Sequence, residues 1–94
     1  MRKFINKEEL EKVKSLDALT YFKNYRPDEI KKHSRNDYIL IDHDSLHFSN
    51  GKWYWWSQRV GGTSALDYLQ RVEGIPFVQA CDYLLNLMGE SEPV

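Results

Sequence analysis

The sequence feature that most constrains the fold is the dipeptide Asn50-Gly51. A type I′ turn needs positive φ at both central residues, and Asn-Gly adopts this conformation more readily than other pairs. The flanking segments, Ser45–Ser49 and Lys52–Trp56, are short and have the composition of β-strands. The sequence therefore predicts a β-hairpin. The β-rich segment Asp37–Asp42 predicts a third antiparallel strand, joined to the hairpin by a turn at His43-Asp44.

The returning strand of this hairpin carries four consecutive aromatic residues. Successive side chains of a strand point to opposite faces, so one face holds Trp53 and Trp55 and the other holds Tyr54 and Trp56. One pair belongs to the core, and alternation alone does not decide which. The other pair lies on an open face of the sheet, unless the N-terminal helix covers it and makes a core between helices.

Helical periodicity flanks the predicted sheet on both sides. Before it, Asn6 can cap a helical segment whose apolar residues recur at three-residue steps, as one helix or as two. A turn at Pro27 and a polar loop follow this segment. After Gly61-Gly62, two helical segments are separated by Gly74. The last segment carries an apolar stripe of Phe77, Ala80, Cys81, Leu84 and Met88. We therefore expect an α+β fold: a small three-stranded antiparallel sheet, an N-terminal helix and two C-terminal helices.

Length and composition predict a single domain spanning residues 1–94. The hydrophobic fraction of 41% is enough for one modest core. We divide the chain into a helical N-terminal segment, 1–33, a core of sheet and helices, 34–88, and a flexible tail, 89–94. No apolar run approaches the roughly 18 residues that indicate a membrane span, and the first residues lack the apolar segment of a signal peptide. We expect a cytoplasmic protein with no membrane partner.

The charge of the chain is unevenly distributed. Residues 1–36 contain ten Lys or Arg and six Asp or Glu, whereas residues 37–94 contain three and eight, so the two parts carry +4 and −5 and sum to −1. Such an asymmetry indicates either a basic patch for nucleic acid or simply a solvated helix face.

Exposed aromatic side chains beside cations on an open antiparallel sheet are typical of surfaces that bind single-stranded nucleic acid. Lys52 and Arg59 flank the aromatic run, and His47 and Tyr38 are candidates for the neighbouring strands. Trp, Tyr and Arg also anchor protein–protein interfaces, which leaves a protein partner as the alternative. The predicted nucleic-acid-binding residues are Lys32, Arg35, Lys52, Tyr54, Trp56 and Arg59.

We expect no catalytic or metal site. The single cysteine, Cys81, falls on an apolar helical stripe, and no histidine has ligand spacing to it. The adjacent residues Asp42, His43 and Asp44 point in different directions and are typical of a solvated turn. The sequence therefore predicts a protein that is not itself an enzyme and that has no cofactor.

The order of these parts resembles the N-terminal zinc-ribbon domain of bacterial DnaG-type DNA primases, over roughly residues 34–86. The Gly-Gly that leads into a helix and the later Glu-Gly and Phe-x-x-Ala segment are the most specific matches. The matching residues are Arg35-Asn36 with Tyr38, His43-Asp44, Leu46 to Phe48, Trp53 to Trp56, Gly61-Gly62, Glu73-Gly74, Phe77 and Ala80.

The metal ligands of that family are mostly replaced in this chain. The paired cysteines of the family fall on Trp55 and Gln58, its first cysteine falls near Asp42, and only His43 has a counterpart among the four ligands. The chain therefore resembles a zinc-less relative, as found beside toprim domains in proteins of plasmids and integrative mobile elements. In this interpretation Trp55 lies inside, at the former metal position, and Trp53 shares its face. Tyr54 and Trp56 are then candidates for exposure or for the side that faces the helices.

The resemblance implies a non-catalytic module that binds single-stranded DNA weakly within a replication, primase-like or plasmid-mobilisation protein. A toprim, primase or helicase protein is the implied partner. The alternative is a structural or protein-docking domain in a replication or transfer complex, with no DNA binding of its own.

Overall fold

The fold is α+β, with helices packed on one face of an antiparallel sheet. The computed structural model describes residues 4–89. Within this range the helices are α1 (Lys7–Ser15), α2 (Ala18–Tyr25), α3 (Ala65–Arg71) and α4 (Phe77–Leu87), with a short 3-10 helix at Pro27–Glu29. The strands are β1 (Ile30–Ser34), β2 (Asp37–Leu40), β3 (His43–Ser49), β4 (Lys52–Trp55) and β5 (Val60–Gly62).

The five strands follow one another across the sheet in chain order, each antiparallel to the next. The predicted hairpin between β3 and β4 is confirmed, with φ values of 53° at Asn50 and 74° at Gly51. The turn before β3 is formed by Ile41 and Asp42, so the prediction of a turn at His43-Asp44 was wrong, because those two residues already belong to β3.

The sheet has five strands and not the three that the sequence predicted. The additional strands are β1 and β5, which form the two edges. β1 begins at Ile30 inside the segment 1–33, which is therefore not entirely helical. The polar residues of β1 form a strand where the sequence predicted a loop. β5 contains Gly61 and Gly62, which had been interpreted as a connection to the next helix. β1 and β5 each pair with a more apolar strand, and the hydrogen bonds and contacts of this pairing outweigh the weak strand propensity of their residues.

The N-terminal helical segment forms two helices. Asn6 and Glu9 form a capping box at the start of α1, as the position of Asn6 predicted. The backbone becomes extended at Leu16, and the side chain of Asp17 then caps α2 by accepting a hydrogen bond from the amide of Thr20 at 3.0 Å. There are thus four α-helices within residues 4–89, where three were expected. Of the expected flexible tail, 89–94, only Gly89 lies within the described residues.

The core lies between the helices and one face of the sheet. The ring of Phe22, on α2, joins the layers, because its centroid lies 5.3 Å from that of Phe48 on β3 and 5.0 Å from that of Tyr68 on α3. Most of the predicted stripe of α4 is buried in this core, but Phe77, at the first turn of α4, is 39% exposed. The fully buried side chains include Val13, Tyr21, Phe22, Leu46, Phe48, Leu69, Cys81, Leu84 and Leu85.

Candidate functional site

The strand register assigns each side chain of the sheet to one of two faces. Residues that pair directly on antiparallel strands share a face. One row of pairs runs across all five strands on the face away from the helices, here called the open face: Lys31, Ile39, His47, Tyr54 and Gly61. The next row lies on the face that packs on the helices, here called the helix face: Lys32, Tyr38, Phe48, Trp53 and Gly62.

The four consecutive aromatic residues divide between these faces. Trp53 is buried in the core at 2% exposure and Trp55 is half-buried, whereas Tyr54 and Trp56 are 36% and 64% exposed. The sequence left open which pair is exposed, and the structure exposes Tyr54 and Trp56, which no helix within residues 4–89 covers. Trp55, which was expected inside, lies on the helix face with Trp53 and packs against the core, but it is only half-buried because it lies near the end of the sheet, with its ring 4.6 Å from that of His43.

A groove of about 640 Å³ lies on the open face beside this exposed pair. The rings of Tyr54 and Trp56 form one side, with centroids 4.7 Å apart and planes at 69°. Lys52 lies on the same face as Tyr54, two residues before it on β4. The residues that line this open-face groove are Asp37, His47, Ser49, Lys52, Trp53, Tyr54, Trp56, Gly61, Gly62 and Thr63.

The groove also contains a carboxylate–imidazole pair that the sequence analysis missed. Nδ1 of His47 lies 2.6 Å from Oδ2 of Asp37, and their side chains are 27% and 20% exposed. The two residues are diagonal neighbours on β2 and β3, because Ile39 pairs with His47. The sequence analysis could not place them together, because a turn at His43-Asp44 would pair His47 with Leu40 and put it on the face opposite to Asp37, whereas the observed register pairs His47 with Ile39. The same register places Tyr38, expected beside His47, on the helix face.

Gly61 determines how closely the Tyr54 ring approaches β5. A methyl group at this position would lie 2.6 Å from Cδ1 of Tyr54 and 2.8 Å from the backbone oxygen of Trp53. The missing side chain therefore lets the ring of Tyr54 lie against the backbone of β5. The guanidinium of Arg71, on α3, donates a hydrogen bond to the carbonyl oxygen of Gly61 and ties this edge strand to the helix layer.

The start of α3 is not available to a phosphate. The side chain of Ser64 caps the helix, and the amides of Thr63 and Ser64 donate to Oδ2 of Asp67 at 3.2 Å and 3.4 Å. The capping box of Ser64 and Asp67 therefore occupies the amides of Thr63 and Ser64 that an anion would need.

The structure brings together only some of the predicted binding residues. Lys52, Tyr54 and Trp56 line one groove. Arg59 lies in the turn between β4 and β5, at the end of β4 opposite to Lys52, with a φ of 54°. Arg35 lies in the turn between β1 and β2, at the same end of the sheet as Lys52, and Lys32 belongs to the row on the helix face.

The four positions that the expected primase resemblance assigns to metal ligands line a second depression of about 700 Å³. These are Asp42, His43, Trp55 and Gln58, and they lie at the end of the sheet opposite to the start of β4. Within residues 4–89 there is no group of three or more His, Cys, Asp or Glu residues arranged to hold a metal ion.

The strongest electrostatic network lies on the helix side, away from the groove. Arg26 forms ion pairs with Glu29 and Glu73, and its Nη1 donates to the hydroxyl of Tyr21 at 3.1 Å. Hydrogen bonding to Glu29 raises the pKa of Arg26, which stays charged. Burial raises the pKa of Tyr21 and of Tyr68, so both phenols stay neutral. This network joins α2, the 3-10 helix and the α3–α4 connection, and its role is structural.

Comparisons with protein-family models, with curated protein sequences and with solved structures each found no match. No helix formed by residues 4–89 has the length and apolar character needed to cross a membrane.

Proposed function

We propose that this chain is a non-catalytic module that binds single-stranded DNA, within a replication, primase-like or plasmid-mobilisation protein. The observation that carries the proposal is the exposed pair Tyr54 and Trp56, on the sheet face that no helix of residues 4–89 covers, beside Lys52 and a groove of about 640 Å³. The resemblance to a zinc-less primase ribbon supports the same function and suggests a toprim, primase or helicase protein as a partner.

Stacking supplies the affinity in this proposal. A base that stacks on an aromatic side chain contributes about 1–3 kcal/mol, and every base has a face for stacking. The edge-to-face arrangement of Tyr54 and Trp56, with planes at 69°, presents ring surfaces in two directions. Single strands expose such base faces, whereas a duplex keeps its bases stacked on one another. We therefore expect binding to single strands without a preference for duplex.

The charges near the groove favour weak, salt-sensitive binding. Lys52 lines the groove, with Arg35 and Arg59 in turns at opposite ends of the sheet as peripheral phosphate contacts. Asp37 also lines the groove, and the chain as a whole has a net charge of −1. Few phosphates are neutralised in such an arrangement, so the salt dependence of the affinity is shallow but measurable.

Fluorescence anisotropy of a labelled thymidine oligonucleotide of about 15 nucleotides tests the proposal, since such a length exceeds a typical binding site on a small domain. The titration is run at about 20 mM and about 200 mM salt. We expect saturable binding that weakens at the higher salt. No binding at low salt to any single-stranded sequence would reject the DNA-binding function and favour the alternative, a protein-docking domain in a replication or transfer complex.

A further inference from the structure

The open-face groove has two chemically different sides. The rings of Tyr54 and Trp56 form an apolar side. The paired side chains of Asp37 and His47, with the hydroxyl of Ser49, form a polar side on the neighbouring strands β2 and β3. A planar heteroaromatic molecule fits such a groove, because it stacks on the rings and turns its hydrogen-bonding edge to the polar side.

The polar side presents mainly hydrogen-bond acceptors. A carboxylate only accepts, so Nδ1 of His47 carries the proton that is donated to Oδ2 of Asp37. In the neutral ring Nε2 is then an acceptor. Within residues 4–89 the Asp37 side chain accepts this one hydrogen bond, and the carboxylate has further lone pairs for a ligand. A ligand that fits must therefore present donors on its edge.

Among the nucleobases, guanine meets this requirement best. Its N1–H and N2–H2 are adjacent donors on one edge and match the two oxygens of a carboxylate. Adenine and cytosine present one exocyclic amine next to an acceptor, and thymine presents one imino N–H between two carbonyl oxygens. Recognition of single strands commonly uses these Watson–Crick edges together with stacking on aromatic side chains.

We infer that the open-face groove selects guanine, held by stacking on Tyr54 or Trp56 and by donation from N1–H and N2–H2 to Asp37, which His47 positions. The inference rests on the proposed function and adds a base preference to it. The groove would recognise the same guanine base in a single strand or in a free guanine nucleotide, and the experiment distinguishes these two sources.

The experiment compares thymidine oligonucleotides of about 15 nucleotides that carry one central guanine, hypoxanthine or thymine. We expect the guanine oligonucleotide to bind at least about fivefold more tightly than the all-thymine one, the low end of what a bidentate base contact contributes. Hypoxanthine lacks the 2-amino group and should bind with intermediate affinity. Competition with deoxyguanosine monophosphate then decides the source: displacement comparable to that by the oligonucleotide assigns the site to free nucleotide, and its absence assigns it to the strand.

The variant Asp37→Asn should bind the guanine and thymine oligonucleotides equally, while still binding both. The control Asp28→Asn removes the same charge from the exposed 3-10 helix and should keep the preference. Equal affinity of the wild-type chain for guanine, hypoxanthine and thymine would overturn the inference and leave the proposed function standing. No binding to any of the three would overturn both. The comparison within the wild-type chain decides the question even where Asp37→Asn fails to fold.

Discussion

The tryptophans of β4 differ in what they contribute to stability. Trp53 is 2% exposed, and its Nε1 has no hydrogen-bond partner within residues 4–89, so its contribution comes from packing. We predict that Trp53→Ala lowers the free energy of unfolding by about 3–5 kcal/mol, the usual cost of truncating a buried aromatic residue. Trp55→Ala should cost clearly less, because Trp55 is half-buried. Chemical denaturation measures both, and a larger loss for Trp55 would contradict this assignment.

The exposed pair contributes to binding and not to the core. We predict that Tyr54→Ala or Trp56→Ala weakens single-stranded DNA binding about fivefold or more, with little change in salt dependence, because stacking is lost and no phosphate contact is. Tyr25→Ala is the matched control, since Tyr25 is 37% exposed, close to the 36% of Tyr54, but lies on α2. Anisotropy titrations measure all three. An equal loss in the Tyr25 variant would mean that the effect is not specific to the groove.

At the scale of single residues, the sequence divided the four rings into two pairs but did not show which pair is exposed or how deeply each ring is buried. Alternation along a strand separates Tyr54 and Trp56 from Trp53 and Trp55 without knowledge of the fold. The difference between the two inward tryptophans depends on where the helix layer ends, which no local pattern encodes. The pairing of Asp37 with His47 follows from the register of β2 on β3, and it was missed because the predicted turn at His43-Asp44 sets a different register.

At the scale of elements, the central hairpin was predictable and the edge strands were not. The Asn50-Gly51 turn specifies β3 and β4 locally. β1 consists largely of polar residues, with Lys31 and Lys32 at its centre, which is typical of edge strands that must avoid pairing with other chains. β5 contains two glycines, which have weak strand propensity. Both edge strands form because they pair with the neighbouring strand of the sheet. This is a long-range effect that patterns in a single sequence do not reveal.

The strand register also places the lysines Lys52 and Lys32 on different faces of the sheet. Lys52, at the start of β4, lines the groove, whereas Lys32 belongs to the row on the helix face. We predict that Lys52→Ala weakens DNA binding and reduces the magnitude of the slope of log affinity against log salt by about 0.7, the value for one phosphate contact on a single strand. Lys32→Ala, the matched control, should leave the slope unchanged. Salt-dependent titrations of both variants measure this, and a smaller slope for Lys32→Ala alone would place the strand on the other face.

At the scale of the whole molecule, alkaline pH is destabilising because the phenols of Tyr21 and Tyr68 are buried in the core. Burial raises the pKa of Tyr21 and of Tyr68 above the ordinary value of about 10. Above that pH the unfolded chain loses these phenolic protons while the folded chain keeps them, so the stability present below about pH 10 is lost as the pH rises further.

We predict that Tyr68→Phe makes the free energy of unfolding fall less steeply between about pH 10 and pH 11.5 than in the wild-type chain. Tyr25→Phe, at an exposed position, is the control and should keep the wild-type slope. Urea denaturation at a series of pH values measures the three slopes. Identical slopes for wild type and Tyr68→Phe would contradict the assigned burial of this phenol.

Because the helices of residues 4–89 pack on one face of the sheet, we propose that single-stranded DNA binds the other, the open face. Heteronuclear NMR of the isotope-labelled chain, titrated with a single-stranded oligonucleotide of about 15 nucleotides, locates the ligand directly. We predict saturable chemical-shift changes at the Trp56 indole and at the Lys52, Tyr54 and Gly61 amides. The signals of the buried Trp53 indole and of the amides of α1 and α4 should not change. Shifts concentrated on α1 and α4, or no shifts at low salt, would contradict this proposal.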